Sequence, residues 1–238
     1  MHRYANPTRF LTLARPLTPI FFWGGLLIAA GACLWGLFVV PPERLQGETV
    51  RIIFIHVPAV WLGMAGWSAI AAASVMELVW RHPLAGIAAR ASAVPGALFT
   101  ALGLLTGSIW GRPAWGTWWV WDGRLTSFLV LLFLYLGYIA LANAGDRNGA
   151  GGRIAAIFGI VGVINIPIIK MSVEWWNSQH QKASIGLSGS SIDGAFLWPL
   201  LISAIGFSFI FGAVVLMRMR TELANNRVEA RLQRMAAG

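Results

Sequence analysis

Two histidines and one tryptophan-dense stretch are the residues with chemistry to offer. Residues 110–122 read Trp-Gly-Arg-Pro-Ala-Trp-Gly-Thr-Trp-Trp-Val-Trp-Asp, so Trp110, Trp115, Trp118, Trp119 and Trp121, five of the chain's 13 tryptophans, crowd in just ahead of Asp122. Indole is broad, flat and amphipathic, and suits either a membrane interface or the face of a flat aromatic ligand. A membrane belt needs one or two such residues per helix end. Five in one connection, with Gly111, Pro113 and Gly116 stopping a continuous helix, read as a platform. His56 sits in Ile-Phe-Ile-His-Val-Pro, and His180 follows Trp175-Trp176-Asn-Ser-Gln. Neutral imidazole is an axial ligand for haem iron, and a porphyrin stacks on indole. Two histidines flanking the platform would supply two ligands and a floor; the same residues could compose a copper or zinc site, which needs no indole floor. Arg124, Arg112, Arg51 and Lys182 are candidates to meet propionates. Asp122 is expected to clamp Arg124 or Arg112 and fix the loop, ahead of the alternative that it meets a partner.

The elements that must position these residues follow from composition. The 238 residues are 57% hydrophobic and only 11% charged, and the apolar residues come in uninterrupted blocks at 20–40, 54–79, 91–109, 125–144, 154–169 and 195–217. Blocks of this length cross a bilayer as helices, so the expected fold is an all-α polytopic membrane protein with six transmembrane helices in one membrane domain, 1–238. An even number of spans places both termini on one side. Twelve of the 18 cationic side chains fall on that side, against Arg44, Arg51, Arg112, Arg124, Lys170 and Lys182 on the other. The positive-inside rule then makes the termini cytoplasmic and turns the tryptophan segment outward, toward the periplasm. The net charge of +9 is accounted for by this asymmetry and by the lipid bilayer, with no nucleic acid required. Cys33 is the only cysteine, which excludes an intrachain disulfide and a Cys-x-x-Cys-His haem attachment site.

Segment by segment, 1–19 reads as a basic, non-helical cytoplasmic lead broken by Pro7, Pro16 and Pro19. The first block reads as an uncleaved span. The second helix is expected to start near Pro58, and Asn165-Ile166-Pro167 to kink or loosen the outer end of the fifth span. Residues 145–152 read as a turn. Residues 110–124 and 170–194 form the outward connections. If residues 172–181 are helical, Trp176 and His180 share a face; residues 184–194 read as a flexible loop. The tail at 218–238 is basic and suited to the inner leaflet or a cytoplasmic partner.

The run Trp110-Gly-x-x-x-Trp115-Gly-Thr-Trp-Trp-Val-Trp-Asp122 resembles the tryptophan-rich WWD signature of the haem-handling proteins of cytochrome c biogenesis. Gly123-Arg124-Leu125-Thr126-Ser127, His56-Val57-Pro58 and Ser172-Val173-Glu174-Trp175-Trp176-Asn177 with His180 are similar to the CcmC branch of that family, haem exporter protein C. The resemblance covers essentially the whole chain. It implies a multi-pass protein of the bacterial inner membrane, not itself an enzyme, that holds haem b transiently and non-covalently at the periplasmic face. It further implies His56 and His180 as axial ligands, contact of the 110–122 segment with both haem and chaperone, and delivery to a membrane-anchored haem chaperone (CcmE-like). Other implied partners are an ABC transporter ATPase and its membrane subunit, and a small single-span Ccm subunit. The chain has no G-x-x-x-x-G-K-[ST] phosphate loop, so a partner must use any ATP. Two alternatives stand beside this reading: a transporter of haem or another solute, and a bis-histidine redox carrier.

Overall fold

In hydrocarbon every backbone N–H and C=O must be satisfied within the segment, and a helix does this for an isolated apolar run. The computed structural model describes residues 6–144, 151–176, 178–181, 184–186 and 189–236; of the stretch 145–152 expected as a turn, residues 145–150 lie outside the described residues, as do Asn177 and Lys182, and Gly151 and Gly152 open a helix instead. It contains α1 (Pro7–Phe38), a short 3-10 turn (Glu48–Ile52) leading into α2 (Ile53–Trp80), α3 (Ala85–Trp115), α4 (Gly123–Ala144), α5 (Gly151–Gly162), α6 (Asn165–Trp175) and α7 (Gly194–Ala236). Among the described residues six helical stretches are long and apolar enough to cross a membrane, α5 and α6 together making the fifth. The one sheet among the described residues is a hairpin of β1 (Ile185–Gly186) and β2 (Gly189–Ser190), inside the stretch expected to be a flexible loop.

Several boundaries depart from expectation. The segment before residue 20 is helical from Pro7: Asn6 caps α1 by accepting the Thr8 N–H at 2.8 Å, and Pro7 occupies the first turn, where no intrahelical donor is needed. Pro16 and Pro19 lie inside the helix on exposed positions, where surroundings can satisfy the freed carbonyls. Pro58 is likewise internal, and α2 begins five residues earlier, at Ile53. Gly111 and Pro113 do not stop α3, so the tryptophan stretch is helical through Trp115. Gly116 stops it, at φ 79° with its N–H on the Arg112 carbonyl, the left-handed terminator that glycine adopts without a Cβ penalty. The fifth span breaks at residues 163–164, ahead of Asn165, whose amide donates to the Ser127 carbonyl at 2.9 Å. The 218–223 part of the tail does not peel away. Met219 and Leu223 are buried with Leu84, Ile87 and Ala91, and Arg90 Nε bonds Glu222 Oε1 at 2.7 Å.

α2 and α3 are the central pair, and α1 packs along α7. Small residues allow that approach: a Cβ on Gly206 would lie 2.4 Å from the Ala29 nitrogen, so the helices meet backbone to backbone. In the middle of the bundle Trp67 is fully buried, edge-on to Tyr135 at 5.0 Å, while the Tyr135 hydroxyl donates to the Gly63 carbonyl at 2.7 Å. Alternating helix direction brings the starts of α2, α4 and α7 and the ends of α3 and α6 to one end of the bundle. Beneath that end Val40, Val50, Ile53, Phe54 and Leu200 form a buried cluster, with Trp110, Ile185 and Ile192 packed on it. This cluster ties the loops to the helices.

Candidate functional site

His56 stands in the first turns of α2, facing α3. Its Nδ1 is 3.0 Å from Thr106 Oγ1. The Thr106 hydroxyl donates its own proton to the Leu102 carbonyl at 2.7 Å, so toward His56 it acts as acceptor. That places the imidazole proton on Nδ1 and leaves the Nε2 lone pair open. Gly107 makes the approach possible, since a Cβ there would lie 3.0 Å from His56 Cε1. One turn further along α3, Trp110 meets the ring edge-on, centroids 5.6 Å apart, with its indole N–H held by Gln46 Oε1 at 3.1 Å.

His180 is oriented by the same logic with different residues. Its Nδ1 lies 2.7 Å from Asp122 Oδ2; Ser178 Oγ donates to the same oxygen at 2.7 Å, and the His180 backbone N–H donates to Ser178 Oγ at 3.1 Å. The other carboxylate oxygen accepts the Leu125 N–H at 2.7 Å, which makes Asp122 the N-cap of α4. Burial opposes ionisation of Asp122, but the Leu125 N–H, Ser178 and His180 outweigh it and hold the carboxyl below its usual range. Burial pushes His180 below the ordinary imidazole value, with Asp122 pulling the other way. The pair is therefore an anionic carboxylate and a neutral imidazole at neutral pH, with the proton on Nδ1 and Nε2 again open. Trp115, the last residue of α3, lies edge-on to His180 at 4.8 Å.

Two expectations fail here. Asp122 clamps neither arginine, because its oxygens are consumed by the α4 cap and by His180 and Ser178. Arg124 Nη1 instead donates to the Gln181 carbonyl at 3.3 Å, and Arg112 to the Gly116 carbonyl. Trp176 and His180 do not share a helix face, because α6 ends at Trp175 and Trp176 is extended. Arg51 is tied to Glu48 and to the Gly36 and Leu37 carbonyls at the end of α1.

The tryptophans divide into distinct groups. Trp110 and Trp115 attend the histidines. Trp119 and Trp121 contact each other at 5.4 Å, and Trp119 keeps a buried indole N–H with no partner among the described residues. Trp175 and Trp176 touch at 5.9 Å, with Trp176 covering Gly123. Trp118, Trp121, Trp175 and Trp176 are each more than half exposed. The arrangement offers two open imidazole nitrogens, indole walls beside them, an unpartnered indole donor and an exposed aromatic rim. Among the described residues no three His, Cys, Asp or Glu converge on a metal-sized cage. The donor set suits iron that brings its own equatorial ligands.

Thr106, Gly107, Gln46 and Ser178 are the residues sequence reading misses. Thr106 and Gln46 lie 50 and 64 positions from their partners and carry no local signal. Ser178 had one, a serine two residues before His180, and Asp122 three residues before the buried Leu125 is a readable helix cap.

The family described as CcmC, Heme exporter protein C, matches residues 1–234. Heme exporter protein C of Bradyrhizobium diazoefficiens is 51% identical over 235 residues, covering 98% of this chain and 88% of the relative. The Escherichia coli K12 protein of the same description is 43% identical over 220 residues, 92% and 89% of the two chains. A putative cytochrome c biosynthesis ccmC-like mitochondrial protein of Marchantia polymorpha is 42% identical over 200 residues, 84% of each.

Proposed function

The chain belongs to the haem exporter protein C family, and from that premise we propose that it is a multi-pass inner-membrane factor of cytochrome c biogenesis that holds haem between His56 and His180. The haem is cargo, bound without a covalent link and passed to a membrane-anchored haem chaperone of the CcmE kind. The observation that carries the reading is the matched preparation of the two imidazoles: each gives its Nδ1 proton to a fixed acceptor, Thr106 or Asp122, and each leaves Nε2 open beside a tryptophan from α3. An acceptor on the far nitrogen fixes the tautomer and raises the basicity of the ligating one.

The rest of the end serves the same task. Trp110 and Trp115 wall the macrocycle, and Arg124 is the donor available to its carboxylates. The exposed Trp118, Trp121, Trp175 and Trp176 form the rim on which the chaperone docks. In this reading both termini are cytoplasmic and this end is periplasmic, which the cation asymmetry supports. An ABC transporter ATPase with its membrane subunit and a small single-span subunit complete the assembly.

The test is the absorption spectrum of the detergent-purified chain beside His56→Ala and His180→Ala under matched oxidation state. A two-nitrogen haem spectrum, altered by each substitution, supports the assignment. Haem retained at wild-type occupancy after removal of both would refute it. Haem flux into proteoliposomes by this chain alone would favour transport instead.

A further inference from the structure

At the opposite end of the bundle, which carries both termini, a groove of about 830 Å³ opens between the start of α1 and the α7 segment beyond residue 216. Its polar part presents Arg15, Arg220 and Arg227; its apolar part is built from Phe22, Trp23 and Met217. Among the described residues no acidic side chain lines it, and the three arginines enter none of the ion pairs found among those residues. Like charges gathered in one groove repel one another unless an anion sits among them.

We propose that this groove is a binding site for an anionic phospholipid of the leaflet on the terminus-bearing side. Guanidinium groups match phosphate oxygens in a bidentate fork, and basic pockets between membrane helices are suited to acidic headgroups. The position along the chain agrees: Arg15 lies just before the apolar run that starts at residue 20, and Arg220 just after the one that ends at 217. Arg15 and Arg220 therefore sit at headgroup depth while Phe22 and Met217 reach toward hydrocarbon, and Arg227 stands two turns beyond Arg220 on α7. Trp23, 60% exposed, has the amphipathic ring that favours this boundary. An occupant must be anionic at one end and apolar at the other, and at this depth the bilayer itself supplies it. Seated there, the lipid would neutralise the arginines and bridge α1 to α7.

The experiment uses the full purified chain, stripped of lipid and exposed to mixed micelles of phosphatidylcholine with phosphatidylglycerol or cardiolipin, with bound lipid counted by native mass spectrometry. Wild type should retain the anionic lipid in preference to phosphatidylcholine. Replacing Arg15, Arg220 and Arg227 together by Gln should lower that retention about five-fold per arginine, roughly hundred-fold in all, while Arg231→Gln changes little. Should the triple variant fail to fold, Ala224→Phe fills the groove with every charge intact and should also displace the lipid. Equal retention of phosphatidylcholine, or undiminished anionic lipid in these variants, would overturn the proposal and leave the groove to an acidic segment of a partner. Haemin whose spectrum survives loss of His56 and His180 but not of the three arginines would overturn it too.

Discussion

Asp122→Asn isolates the orientation of His180 from the fold around it. Asparagine is as good an N-cap as aspartate, so its carbonyl oxygen can keep the Leu125 N–H bond and α4 should start where it does now. The group turned toward His180 is then an amide N–H, a donor where wild type has an acceptor 2.7 Å from Nδ1. The imidazole must answer by moving its proton to Nε2, the atom proposed to ligate iron. Loss of one charge-assisted hydrogen bond costs about 1.5–3 kcal/mol, which corresponds to a ten- to hundred-fold loss of affinity, the range seen when the residue behind a ligating histidine is removed. Haemin titration of the detergent-purified variant, followed by absorption, should show weakening of that size at neutral pH with unchanged helix content. The pH dependence gives a second readout. Only neutral imidazole binds iron, so association falls as acid protonates His180. Removing the Asp122 anion takes away the group that favours the protonated ring, so the acid limb should move to lower pH even as affinity drops. Affinity within two-fold of wild type, or an acid limb displaced upward, would refute the reasoning.

Thr106→Val keeps the shape beside His56 but deletes the acceptor for Nδ1–H; haemin affinity should fall about ten-fold, the lower end of the same range because the lost partner is neutral, with the thermal midpoint little changed. Gly206→Val drives a side chain into the Ala29 backbone, where a Cβ alone would lie 2.4 Å from nitrogen. Separation of α1 from α7 should cost about 1–3 kcal/mol or more, read as a lowered melting midpoint in detergent. Trp118→Ala with Trp121→Ala removes exposed rim that touches neither histidine. Transfer to the purified chaperone should slow several-fold while haem retention stays near wild type, and equal loss of both would place these rings against haem instead.

The apolar blocks were legible because length and hydropathy alone decide whether a segment can leave water. Their ends were not. Pro113 and Gly111 look like helix breakers, yet α3 continues to Trp115, since the chain meets a left-handed residue only at Gly116. Pro16 and Pro19 look equally disruptive and are absorbed on an exposed face of α1. The continuation of α7 past residue 217 was hidden for another reason: polar residues there pair with α3, as Glu222 does with Arg90, and hydropathy does not register such a partner.

By itself the sequence determined that this is a six-span helical membrane protein and which family it resembles; it read the tryptophan stretch as a connection, whereas Trp110 and Trp115 stand on α3 and His56 on α2. Residue type and spacing carry that information because burial in lipid and the turn chemistry of glycine are local. Only tertiary structure decided what readies the histidines. Thr106 reaches His56 across 50 positions and Asp122 reaches His180 across 58, and the aspartate expected to hold an arginine holds an imidazole. Which acceptor stands behind which ring depends on how the ends of α2, α3 and α4 meet, and helix packing sets that geometry over distances no local pattern encodes.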